Sequence, residues 1–138
     1  MRLRQDVKVG LIRRVPLFAG CTKRELGLIA GIADEIVQPE GSTVMVEGRR
    51  GREFCILVTG TADVSRRGAH LATLADGDFF GEIALLLDAP RSATVTATSD
   101  VRLLVIDKVP FQRLVREAPA IQGKLLAALA SRLADESL

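Results

Sequence analysis

From Asp34 to residue 107 the apolar period drops toward two in short runs, and Gly41, Gly48, Gly51, Gly60, Gly68 and Gly77 break the chain at short intervals. A helix of ordinary length cannot survive that spacing, because glycine weakens it and the apolar stripe would wind around every face. The runs 36–38, 43–47, 53–59, 62–66, 70–74, 92–97 and 101–107 therefore read as strands, with the glycines in turns between them. Many short strands need an architecture that limits exposed edges, which points to a sandwich or jelly roll. The alternation alone does not say which strand pairs with which.

Both flanks are helical. Leu3, Val7, Leu11 and Ile12 share one helical stripe, predicting a helix over 3–14 that Pro16 ends. Val15, Leu17 and Phe18 follow as a short apolar plug. Thr22 with Glu25 three residues on is a capping box for a second helix, with Leu26, Ile29, Ala30 and Ile32 facing inward. After Ile106 the helical period returns. Phe111, Leu114 and Val115 mark one helix, and Pro119 opens another whose Ile121, Leu125, Leu129 and Leu133 lie four apart, with Leu126 alongside. The expected division is helical 1–33, a β-roll over 34–107, and C-terminal helices over 108–137, in a single domain of 1–138.

Several function classes drop out. The net charge is only +2, so nothing global suggests nucleic acid, and no helix-turn-helix follows the last strand. Residues 1–24 carry seven Lys/Arg against one acid, a local +6 that leaves −4 elsewhere. A solvated helix face accounts for that asymmetry more simply than an acidic partner or membrane does. Cys21 and Cys55 have no metal spacing, and two cysteines make no disulfide framework. His70 is the sole histidine, which excludes a metal-binding jelly roll of the cupin kind and His-based acid–base chemistry. No serine or cysteine has a base beside it, so an enzyme is not expected. The amino terminus lacks a signal-peptide core and no apolar run is long enough to span a bilayer, so the expectation is a cytoplasmic chain. Met1 and the helical ending lead us to expect a whole protein.

One stretch, 79–97 (FFGEIALLLDAPRSATVTA), concentrates the chemistry. Gly81 lets the backbone change direction before an apolar turn over 82–87, and Pro90 then ends that turn. A helix starting near Gly81 would aim free N–H groups and a positive dipole at the preceding loop, where a phosphate sits without a metal. Arg91, brought back by Pro90, would add two parallel bonds to phosphate oxygens. Glu82 is out of place beside an anion unless its partner is a neutral hydroxyl and Arg91 offsets the repulsion. A sugar hydroxyl attached to a cyclic phosphate meets both conditions.

The same stretch resembles the phosphate-binding cassette of cyclic nucleotide-binding domains, of the stand-alone bacterial type. Phe80, Gly81, Glu82, Ala84, Leu85, Pro90, Arg91, Ala93, Thr94 and Val95 carry the match. Residues 47–64 resemble that family's glycine-punctuated hairpin, and the likeness runs over roughly 11–134. The resemblance implies a mainly β double-stranded β-helix, or jelly roll, with N-terminal helices and C-terminal lid helices. It implies a ligand, cyclic AMP ahead of cyclic GMP, held without chemical change by Phe80, Gly81, Glu82, Ile83, Ala84, Arg91, Ser92 and Ala93, with no other cofactor and no metal. Ser92 stands where the family places a residue touching the phosphate or base edge, and its hydroxyl does not decide between adenine and guanine. Val64 and Leu71 are candidate walls for the base. Arg132 is the candidate lid on the last helix, where relatives often place an aromatic or arginine. An effector protein or second subunit would receive the signal, and a homodimer is left open. The alternative is a β-roll that has lost its ligand and serves as a dimerisation or interaction module.

Overall fold

The structure, a computed structural model, describes residues 4–82 and 89–137, with backbone only for 125, 128, 129 and 132–137. Two helices, α1 (Gln5–Arg13) and α2 (Lys23–Ile32), are joined through a 3-10 turn at Pro16–Phe18. Eight strands follow: β1 (Ala33–Gln38), β2 (Thr43–Met45), β3 (Glu53–Thr59), β4 (Ala62–Arg66), β5 (Ala69–Leu74), β6 (Phe79–Phe80), β7 (Thr94–Ala97) and β8 (Val101–Asp107). Helices α3 (Lys108–Glu117) and α4 (Pro119–Ser137) close the described chain. The capping box forms as expected: Glu25 donates its amide to Thr22 Oγ1 at 3.1 Å, and Thr22 donates to Glu25 Oε1 at 2.7 Å.

The strands make two antiparallel four-stranded sheets, ordered β1-β8-β3-β6 and β2-β7-β4-β5. This is a β-roll flanked by helices. Strand β3 explains the unbroken apolar run 54–58, because both of its faces are buried. Phe54, Ile56 and Val58 pack outward against the helices, while Cys55 and Leu57 point between the sheets. Strand β8 divides in the same way: Leu104 and Ile106 meet the helical layer, and Val101 and Leu103 enter the roll. Phe54 is the hub of the outer layer, with ring centroids 6.2 Å from Phe18, 5.7 Å from Phe79 and 5.3 Å from Phe111.

Three departures from the sequence expectation have local causes. Strand β2 stops at Met45, because the Glu47 amide donates to the Thr94 side chain rather than to a backbone carbonyl. Strand β7 starts at Thr94 and not Ser92, since the Ser92 carbonyl accepts from the Arg66 side chain instead of a strand neighbour. The two-residue β6 was not expected. It sends Phe79 to the helical layer and Phe80 into the roll, the alternation any strand imposes.

Candidate functional site

The approach to the cassette is fixed by the turn at 75–78. Gly77 donates to the Leu57 carbonyl and Leu57 to the Asp78 carbonyl, both at 2.7 Å, while Asp78 and Asp76 cap the amides of Ala75 and Gly60. Phe80 then buries its ring, and the chain reverses at Gly81 with φ +88°. A β-carbon there would lie 2.7 Å from the Glu53 carbonyl oxygen and 3.1 Å from Arg91 Nη1, so only glycine fits.

Two charged residues are buried among the described residues: Glu82, 1% exposed, and Arg91, 9% exposed. Arg91 is held from several sides. Nη2 donates to the Glu53 carbonyl at 2.9 Å and to Glu53 Oε2 at 3.3 Å, and Nη1 donates to the Gly81 carbonyl at 3.3 Å. Its backbone is clamped as well, for its amide donates to Arg49 and its carbonyl accepts from Gly48. Gly51 covers the guanidinium so closely that a β-carbon would come within 2.2 Å of Nε. The Gly81 carbonyl that accepts from Arg91 immediately precedes Glu82. One turn therefore brings the cation and the acid to the same place.

The exit from the cassette runs beside the β4–β5 hairpin. Val64 pairs with Val95, and Ser65 with Thr94. Ser92 is half-buried and Ala93 buried. Val64 packs on the roll interior, whereas Leu71 lies at an irregularity in the β4–β5 register and is 49% exposed. Ile83, Ala84 and the rest of the stretch 83–88, where the sequence predicts an apolar turn, lie outside the described residues, as does the side chain of Arg132. The helix expected to begin near Gly81 falls mostly in that stretch.

Sequence reasoning missed Glu53, Gly51 and Arg66. Glu53 is 38 residues from Arg91 and begins a strand, where an acid attracts no notice. The one available signal was the glycine inside the basic run 47–53, which marks close backbone approach. Nearby, burial pushes the Cys55 thiol up to about 12, with Arg91 opposing and Glu53 reinforcing the shift. That thiol is inert packing. His70, single in sequence, pairs with Asp63 on the hairpin surface, and no group of three metal-ligating side chains occurs among the described residues. No helix among them is long and apolar enough to cross a membrane.

Comparison with known proteins gives a consistent result. Residues 36–118 match the family described as "Cyclic nucleotide-binding domain". The cAMP-dependent protein kinase regulatory subunit of Yarrowia lipolytica is 36% identical over 115 residues, covering 81% of this chain and 30% of that protein. The Colletotrichum orbiculare subunit is 39% identical over 115 residues, covering 82% and 29%. The chain thus spans about a third of these relatives' length. Among solved structures, cAMP-bound PfPKA-R superposes with a TM-score of 0.84 at 25% identity, covering 95% of this chain and 44% of that one. The Thermus thermophilus catabolite activator protein gives 0.80 at 29% identity, covering 88% and 60%. With the β-roll, the Gly81 reversal and the buried Glu82 and Arg91 in view, the chain belongs to the cyclic nucleotide-binding domain family.

Proposed function

We propose that this chain is a sensor that binds cyclic AMP, in preference to cyclic GMP, and passes the binding event to a partner protein or second subunit. The observation carrying this reading is the burial of an acid and a cation beside one glycine turn, Glu82 at 1% and Arg91 at 9% exposure. Charged side chains are seldom buried, and these two come together at a single turn. A ligand that offers an anion to Arg91 and a hydroxyl to Glu82 gives both a use. The amides of Ser92 and Ala93 would add donors to the phosphate, and Val64 and Leu71 would flank the base. The names of the relatives support cyclic AMP as the nucleotide. Helix α4 packs on the 3-10 turn and on α3, so a shift in the cassette could reach it through the helical layer. That shift can be no larger than the ligand's difference in affinity for the two helix positions.

One observation favours a second reading. Glu53 and Gly81 already accept from the Arg91 guanidinium, as they would in a β-roll that has given up its ligand and serves as an interaction module. Thermal unfolding with saturating cyclic AMP and, separately, cyclic GMP distinguishes the two. A sensor melts higher with cyclic AMP, and by a larger margin than with cyclic GMP. An unchanged midpoint with both leaves the interaction module.

A further inference from the structure

Five arginines other than Arg91 crowd the cassette. The β2–β3 loop supplies Arg49, Arg50 and Arg52, and the β4–β5 turn supplies Arg66 and Arg67. Their proximity follows from hydrogen bonds. Arg49 accepts from the Arg91 amide through its carbonyl, and Gly51 lies against the Arg91 guanidinium. The Arg52 amide donates to Glu53 Oε2, the same atom that meets Arg91. Arg66 Nε donates to the Ser92 carbonyl at 2.7 Å, and the Arg67 amide donates to Glu47 Oε1 at 2.9 Å, closing the turn onto the loop. In these two segments the acids are Glu47 and Glu53, and both carboxylates lie within these contacts.

Arg67 is also the wrong residue for its backbone. With φ +52° it is followed by Gly68 at φ +81°, a two-residue hairpin turn whose first position favours Asn, Asp or Gly. An arginine there sits in a sterically unfavourable region, which suggests that its charge is useful. Arg49, Arg50, Arg52 and Arg67 are exposed, so their side chains are open to solvent at the surface. Residues 25–138 sum to −4, so these five arginines form a basic cluster within the acidic remainder of the chain.

We propose that Arg49, Arg50, Arg52, Arg66 and Arg67 form an electrostatic collar that draws an anionic ligand to the cassette and sets its rate of capture. The proposal rests on the cyclic nucleotide reading. Exposed charges beyond direct contact raise the association rate, and that gain fades with salt as screening shortens their reach. They leave dissociation almost untouched.

Stopped-flow binding of a base-linked fluorescent cyclic AMP analogue, from low to physiological salt, tests it. The probe must carry the signal, since the chain has no Trp or Tyr. The variant combines Arg49→Gln, Arg52→Gln and Arg67→Asn. The last change suits the turn, so the fold is kept or improved, as circular dichroism melting will show. The expected result is an association rate about tenfold lower at low salt, a flatter salt dependence, and dissociation within about twofold of wild type. An unchanged association rate and salt slope overturn the collar. So does a loss confined to dissociation, which would make these residues ligand contacts. If the wild type captures no probe at all, the cyclic nucleotide reading itself falls, and the collar with it.

Discussion

The two faces of β3 serve opposite ends. Toward the helices stand Phe54, Ile56 and Val58, locked into a layer with Phe18, Ile29, Leu104, Ile106, Phe111 and Ile121. Toward the roll stand Cys55 and Leu57, among small side chains such as Ala62, Val95 and Ala97, and at the start of that same strand Glu53 holds Arg91. The first face is large, aromatic and closed, and it supplies stability. The second is thinner and leads to buried charge, whose desolvation costs stability. A single strand thus couples the packed layer to the seat.

The sharpest way to break that contrast is on the helical face. Phe54→Ala should destabilise the ligand-free protein by about 3–5 kcal/mol, since it removes the hub of three ring contacts. Urea unfolding measures the loss, and affinity in the folded fraction should move by less than about threefold. A comparable fall in affinity would mean that the two faces are not separable. On the other face, Glu82→Ala should weaken cyclic AMP by about 1–3 kcal/mol, the range for a hydrogen bond to a charged group. It should also narrow the gap between cyclic AMP and its 2′-deoxy analogue, and full discrimination in the variant would place Glu82 outside the sugar contact. Gly51→Ala sharpens the comparison further. Its new methyl collides with the far end of a flexible side chain, so the guanidinium moves and the fold survives. An affinity loss of about 1–2 kcal/mol is expected, with a stability loss of similar size as the displaced guanidinium gives up its contacts with Glu53 and Gly81. A melting temperature that falls while affinity holds would reverse the assignment.

The smallest effect concerns Cys55. Its thiol is raised from 9.0 to about 12 in the folded state. The neutral thiol therefore favours folding in full below about pH 9, and that contribution is lost as pH climbs toward 12. Urea midpoints at pH 8, 10 and 11 should fall more steeply for the wild type than for Cys55→Ala. Equal slopes would show that burial does not hold this thiol neutral.

Much of this layout is legible in the residues themselves. Strands β3, β4 and β8 end where their apolar runs end, and the Thr22–Glu25 box places the start of α2, because each of these signals is local. The Gly81 reversal, with an acid beside it and an arginine ten residues on, is also contained within one short stretch. What stays hidden depends on contacts between distant positions. The Glu53–Arg91 contact spans 38 residues and has no period. The early end of β2 turns on one Thr94 hydroxyl, and β6 is too short to show alternation. Nor does a pattern of basic residues reveal that a loop and a hairpin turn bring their arginines to one rim.

The central claim is that Arg91 binds a cyclic phosphate in spite of its contacts with Glu53 and Gly81. Calorimetric titration of cyclic AMP into wild type and Arg91→Ala tests this most directly. A loss of about 2–4 kcal/mol in the variant, the consequence of leaving a desolvated phosphate without its cation, is the predicted result. Equal affinities in the two proteins would contradict it, and would assign Arg91 to holding the β2–β3 loop alone.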